Sequence, residues 1–108
     1  MGRAQRDRGA RFEREVAAMA RDAGFADAAR TSDGRHQRTR GDIAGVPGVS
    51  IEAKRTEAFS IRAAWAQACD QAGATDLPVV ATRWDGGPAL AVLPLDELLA
   101  LLKHRSAA

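Results

Sequence analysis

Two acidic residues and a lysine stand close together in the middle of the chain, in the segments RGDIAG and VSIEAKR. If VSIEAKR is a β-strand, its period-two alternation places Glu52 and Lys54 on the same face, roughly 7 Å apart. The Gly/Pro-rich turn between the two segments predicts a β-hairpin that brings Asp42 alongside Glu52. Two carboxylates this close repel each other unless a cation lies between them. The pattern therefore predicts a metal-binding pair of acids with a lysine beside it.

The residue types at this position define the chemistry to expect. Mg²⁺ prefers oxygen ligands and retains water molecules when bound, and Mn²⁺ is expected to substitute for it. Lys54 can orient a water molecule or stabilise negative charge that develops on a phosphate. The chain has fourteen arginines but only two lysines, so the choice of lysine here is informative. These features favour phosphodiester hydrolysis. The alternative is a solvent-facing ion pair on an edge strand, which would contribute little to the stability of the fold.

The length and composition indicate one small domain. The 108 residues are 45% hydrophobic but only 5% aromatic, which predicts a thin core that a partner subunit could reinforce. The single cysteine, Cys69, excludes an internal disulfide and a zinc site made of cysteines. No apolar run reaches the roughly 20 residues of a membrane span, and the arginine-rich N-terminus does not resemble a signal peptide. We expect a cytoplasmic protein with no membrane partner.

The positive charge is concentrated in the first third of the chain. Residues 1–40 contain ten arginines and six acids, whereas residues 41–108 contain six basic and eight acidic residues. This distribution suits a protein that holds phosphates in one place and a metal in another. The alternative is a solvated basic arm without a partner, and residues 1–8 are expected to be flexible. The arginines that we expect to contact DNA are Arg8, Arg11, Arg35, Arg38, Arg40 and Arg55.

The spacing of apolar residues and turn residues predicts three helices and five strands. The helices are expected at residues 9–24, ending at Gly24, at 61–74 with Ser60 as the N-cap, and at 95–103 after Pro94. The strands are expected at residues 28–31, 42–44, 49–55, 78–84 and 89–93, with an exposed loop over 32–40. This α-β-β-β-α-β-β-α order predicts a single α+β domain, residues 1–108, in which helices cover a mixed sheet.

The segments RFEREVAAMARDAGF, RGDIAG, VSIEAKR, AAWAQACDQAG and LPVVATRW, in this order, resemble the PD-(D/E)xK nuclease superfamily. The resemblance is to its small Holliday-junction-resolvase-like branch of archaeal and phage types, over about residues 9–102. It implies a restriction-endonuclease-like core, αβββαβ, to which this chain adds a strand and a C-terminal helix. Asp42 and Glu52 match the family's metal ligands and Lys54 its catalytic lysine. The nine residues between Asp42 and Glu52 lie within the family's usual range.

The resemblance also points to two residues outside the hairpin. Glu13 matches an acidic residue that the family places on its first helix, whereas Glu15 fits an ordinary surface glutamate better. Family members often carry a glutamine near the metal on the helix after E-x-K. Gln67 is favoured because it follows tryptophan in a W-x-Q arrangement, with Gln71, one turn later, as the alternative. Packing in the core is expected for Cys69, and packing in the core or at an interface for both tryptophans.

The function implied by the resemblance is that of a Mg²⁺-dependent endodeoxyribonuclease. It would act on branched, Holliday-junction-like DNA as a homodimer, in DNA recombination or repair, and the protein could be phage-encoded in a bacterial host. One alternative is a nuclease of other specificity, such as nicking, flap cutting or restriction-type cleavage in phage or mobile-element DNA. Another is a non-catalytic DNA-binding module on the same fold. The fold does not decide among them, because one fold supports several activities.

Overall fold

The computed structural model describes residues 2–33, 41–55 and 60–106, which form three α-helices and a five-stranded mixed sheet. In chain order these are α1 (Arg3–Asp22), β1 (Ala29–Arg30), a short 3-10 helix (Thr31–Asp33), β2 (Ile43–Ala44), β3 (Val49–Lys54), α2 (Ile61–Ala72), β4 (Leu77–Thr82), β5 (Leu90–Val92) and α3 (Leu95–Ser106). The predicted α+β class and the predicted order of elements are confirmed.

Helix α1 is longer than expected. It begins at Arg3, so the prediction that residues 1–8 form a flexible arm is wrong for 3–8. Arginine, alanine and glutamine are good helix formers, and Gly9 within the helix costs only about 1 kcal/mol relative to alanine. The helix ends at Asp22, and Gly24 follows with a φ of 112° in the C-terminal capping position predicted for it. The amide of Phe25 then donates to the carbonyl of Ala20 at 3.0 Å, which closes a Schellman cap.

The sheet has the strand order β1-β2-β3-β4-β5. Strands β3 and β4 are parallel and are joined by α2, whereas all the other neighbouring strands are antiparallel. The hairpin of β2 and β3 is confirmed, with Ile43 opposite Ile51. Strand β3 lies at the centre of the sheet. The interpretation of its Glu-x-Lys pattern as a solvent-facing pair on an edge strand is therefore wrong.

Helices cover both faces of the sheet. On one face, Phe12, Val16 and Ala17 of α1 pack with Ile43 and Ala81. On the other face, α2 packs through alanines against Val80, with Trp65 and Val92 at the margin. Because the contacts of α2 are made by alanine, the helix lies close to the sheet. Ser50 and Glu52 of β3 face α2 and are thereby buried, although both are polar.

One expectation about packing is wrong. Cys69 is exposed rather than buried, because α2 turns Ala64, Ala68 and Ala72 toward the sheet and Cys69 away from it. Of the two tryptophans expected in the core or at an interface, Trp65 packs against the core, whereas Trp84 is 60% exposed just after β4 and lies outside the core. Within the described residues, no helix has the length and apolar character needed to cross a membrane.

Candidate active site

The topology brings three strand ends to one edge of the sheet. Strands β3 and β4 are parallel, so their carboxyl ends lie side by side, and ligands of α/β sheets commonly bind at such ends. Strand β2 runs the opposite way, so its start lies at the same edge. Asp42 directly precedes β2, and Lys54 is the last residue of β3. The fold therefore places Asp42, Glu52 and Lys54 together, as the sequence predicted.

Glu52 is the buried centre of this group, with only 4% of its surface exposed. Its Oε1 accepts a hydrogen bond of 2.9 Å from Nε2 of Gln67 on α2. The Nζ of Lys54 lies 3.9 Å from the same oxygen. Of the two candidate glutamines, the structure thus brings Gln67 to Glu52, while Gln71 lies one turn further along α2.

Asp42 is fixed by the backbone of the neighbouring strand. Its Oδ2 accepts a hydrogen bond of 2.8 Å from the amide of Ala53. The pairing of Ile43 with Ile51 sets Asp42 across from Glu52 on the face that α2 covers. One carboxylate oxygen is thus engaged in positioning the side chain. The second oxygen can serve as a ligand.

Gly41, which was not among the residues predicted for the site, permits this close approach. It has a φ of 78°, and a Cβ at this position would lie 2.8 Å from both the Ile51 carbonyl oxygen and Ser50 Oγ. Neither the conformation nor the space suits another residue. The signal available in the sequence was a glycine directly before the candidate metal-binding aspartate.

Burial and neighbouring charges raise the pKa of Glu52 from 4.5 to about 7. Removal of the side chain from water is the largest cause, and the negative charge of Asp42 is the second. Lys54 acts in the opposite direction, and a hydrogen bond with Asp42 and the charge of Glu13 add smaller increases. The pair of acids thus lacks enough positive charge nearby to hold two full negative charges. A bound cation would supply that charge.

Glu13 lies at the margin of the site rather than within it. Its Oε1 accepts a hydrogen bond of 2.9 Å from Nε of Arg30, which also approaches Asp33 at 3.5 Å. It is near enough to influence Glu52, but only as the smallest contribution. No local pattern in the sequence pointed to Arg30, because its partner is 17 positions away along the chain. Glu15, expected to be an ordinary surface residue, pairs with Arg83.

The arginines expected to contact DNA differ in their surroundings. Arg35, Arg38 and Arg40 lie outside the described residues. Arg55 donates to the carbonyl of Arg83 at 3.0 Å and pairs with Asp85, so its half-buried side chain is held against the segment that follows β4.

The arginines of α1 extend this positive region. Arg8 is half-buried and adds positive charge near Asp85, whose pKa is lowered chiefly by its hydrogen bond to Arg55. Arg11 is exposed on the same helix. The guanidinium groups of Arg8 and Arg55 therefore both lie near Asp85, which balances part of their charge.

The donor set suits Mg²⁺. In the described part of the chain, no group of three or more His, Cys, Asp or Glu side chains is arranged to hold a metal ion. Asp42 and Glu52 thus offer two carboxylates, and Mg²⁺ is usually held by one or two carboxylates together with waters and substrate phosphates. A structural zinc ion would need four closed ligands instead. The buried, incompletely neutralised pair of acids fits a Mg²⁺ ion that is completed by substrate.

Comparison of the chain with protein-family models, with curated proteins and with solved structures found no match.

Proposed function

We propose that this chain is a metal-dependent nuclease that hydrolyses phosphodiester bonds in DNA. The observation that supports this best is the burial of Glu52 against Asp42, a second carboxylate. Within the described residues, Lys54 is the one cation in ion-pair range of Glu52. Two buried carboxylates with so little positive charge nearby destabilise a folded protein unless a cation binds there. Acidic residues with a perturbed pKa are also typical of functional sites.

Each side chain has a distinct part in the proposed reaction. Asp42 and Glu52 would hold Mg²⁺, which when bound would polarise the phosphate and assist deprotonation of the attacking water. Gln67 keeps the Glu52 carboxylate in one orientation through its amide. Lys54 carries its ammonium group toward the reacting phosphate, where it would stabilise the added negative charge of the transition state. Water adds to phosphorus as it loses a proton, the bond to one ester oxygen breaks, and the departing oxygen takes up a proton from solvent, which leaves a phosphate monoester and a hydroxyl group.

Cleavage of synthetic DNA by the purified protein tests the proposal directly. We expect cleavage with Mg²⁺ or Mn²⁺ and none with EDTA. Asp42→Asn and Lys54→Met should each reduce the rate by about a hundredfold or more, because each removes a charge that acts on the transition state. Asp22→Asn, an exposed aspartate at the far end of α1, should cut at the wild-type rate. Cleavage that survives in Asp42→Asn and Lys54→Met would show that a contaminating nuclease is responsible.

For the substrate, we propose branched DNA cut by a symmetric pair of subunits in recombination or repair. A twofold dimer would present two sites to two strands in related positions. A four-way junction, a flapped duplex and a linear duplex, compared at equal concentration, distinguish this substrate from nicking, flap-cutting or restriction-type specificity. Preference for the junction is expected, and equal cutting of the linear duplex would contradict it.

A DNA-binding module without catalysis is the main competing function. It predicts salt-dependent affinity for DNA with no metal requirement. Asp42 and Glu52 count against it, because two carboxylates without a cation repel phosphate. Calorimetric titration of Mg²⁺ into wild type and Glu52→Gln separates the two: the nuclease proposal expects binding that is lost in the variant, and no binding in either protein supports the module.

A further inference from the structure

Helix α3 is exposed along its whole length. Every residue from Leu95 to Arg105 is exposed, and five of them are leucines. No other helix or strand of the described residues packs extensively along it. An isolated helix of twelve residues is marginal in water, since helices in proteins gain most of their stability from packing an apolar face. The apolar face of α3 therefore calls for a partner.

Four of the leucines form one stripe. Leu95, Leu98, Leu99 and Leu102 recur at i, i+3, i+4 and i+7, the spacing of a single helix face. Their exposed fractions are 68%, 37%, 54% and 40%. Contiguous apolar surface on this scale marks an interaction surface more often than a solvated one.

The charges beside the stripe identify the kind of partner. Asp96 and Glu97 lie in the first turn of α3, and Lys103, His104 and Arg105 lie in the last turn. Asp96 and Lys103 are seven residues apart and flank the same side of the stripe. A second α3 that packs antiparallel would set its Asp96 near Lys103 of the first helix, and the reverse. In a parallel pair, the flank that carries Asp96 and Lys103 in one copy would lie on the opposite side of the interface from the same flank in the other copy, so these residues could not pair.

We infer that α3 is the contact surface for a second copy of this chain, packed as an antiparallel helix pair about a twofold axis. Such an interface is self-complementary, because each acidic end meets the other copy's basic end. A membrane surface fits less well, since α3 lacks the excess of Lys and Arg typical of membrane-surface helices. The inference depends on α3 alone and does not require the proposed nuclease activity.

The size of the surface sets the expected affinity. A pair of twelve-residue helices buries less than the roughly 800 Å² per partner of a standard interface. We therefore expect a weak dimer, with a dissociation constant on the order of 10 μM. Such a dimer is populated at concentrations that sedimentation experiments reach.

Sedimentation velocity of the full chain, from about 1 to about 200 μM, tests the surface. We expect concentration-dependent dimerisation in wild type and a loss of affinity of about a hundredfold in Leu99→Glu, because each dimer then buries two charges against leucine. Ala100→Glu adds the same charge to the opposite face of α3 and should dimerise like wild type. A monomeric wild type at all these concentrations, or equal weakening by both variants, would overturn the inference.

A charge exchange tests the antiparallel orientation. Asp96→Lys and Lys103→Asp should each weaken dimerisation, and the double variant should recover most of the affinity. If the charges acted only through the helix dipole, the double variant should have the lowest dimerisation affinity, because each substitution places the unfavourable charge at its end of α3. Circular dichroism of each variant shows whether α3 is still helical. Failure of a helical double variant to recover would overturn the antiparallel arrangement.

Discussion

Gln67 of α2 donates a hydrogen bond of 2.9 Å to Glu52 of β3 and so joins the helix to the centre of the sheet at the candidate site. The contact spans 15 positions in the chain. It gives Glu52 a neutral hydrogen-bond donor, which orients the carboxylate without cancelling its charge. In the proposed metal site, Glu52 held in this way would keep its negative charge for the metal.

This contact predicts the effect of removing the amide. In Gln67→Ala, Glu52 loses its donor, and we expect Mg²⁺ affinity and cleavage rate to fall by about tenfold to a hundredfold, as for other residues that orient metal ligands. Gln71→Ala removes the same residue type one turn along α2 and should leave both unchanged. The measurements are Mg²⁺ titration and single-turnover cleavage. Equal losses in the two variants would indicate a general effect on α2 rather than orientation of Glu52.

The raised pKa of Glu52 predicts how stability changes with pH in the absence of metal. Its pKa is about 7 in the folded protein against 4.5 for the ordinary side chain, so the folded state binds the proton more tightly. The free energy of unfolding contributed by this group is therefore retained below about pH 4.5 and lost as the pH rises through about 7. The total loss is on the order of 3 kcal/mol.

Urea unfolding in EDTA across this pH range, with wild type and Glu52→Gln compared, checks the prediction. The variant should be the more stable protein at pH above 7, and its advantage should shrink toward acidic pH. Glu97→Gln, an exposed glutamate on α3, should show no such pH-dependent difference from wild type. A Glu52→Gln variant that is less stable than wild type at high pH would contradict the prediction that the buried, charged carboxylate of Glu52 lowers the free energy of unfolding.

The left-handed conformation of Gly41 predicts a selective loss of activity on substitution. In Gly41→Ala, the added Cβ would lie 2.8 Å from backbone and side-chain oxygens of β3, so β2 must move and carry Asp42 with it. We expect cleavage to fall by at least about tenfold, since small displacements of a positioned group are costly. Gly48→Ala is the matched control, because Gly48 has a similar φ of 76° but open space around its Cα. If both variants lose activity equally, backbone strain alone accounts for the effect.

Local chemistry explains which features the sequence predicted. Gly24 and Ser60 bound their helices as expected, because capping depends on residues only a few positions apart. The shared face of Glu52 and Lys54 followed from strand periodicity in the same way. The centre of the site was thus visible in two short segments.

Longer-range packing explains what the sequence did not predict. The burial of Glu52 depends on how closely α2 packs against β3, and the alanines of α2 set that distance. The Arg30–Glu13 pair depends on where α1 crosses β1, and the exposure of Cys69 depends on which face α2 turns to the sheet. None of these is encoded in a local pattern. The early start of α1, by contrast, is a local feature. The prediction of a flexible arm followed the positive charge of residues 3–8, whereas their helix propensity favours the helix that forms.

The metal binding that we propose at Asp42 and Glu52 predicts that Mg²⁺ stabilises the fold. A ligand that binds only the folded state adds about 2.7 kcal/mol at a hundred times its dissociation constant, which raises the Tm of a domain of this size by several degrees. Thermal unfolding with Mg²⁺ and with EDTA should show this shift in wild type and in Asp22→Asn, but not in Asp42→Asn. The shift should be larger at pH 8 than at pH 6, because protons compete with the metal for Glu52. An equal Mg²⁺ response in Asp42→Asn would place the ion elsewhere on the protein.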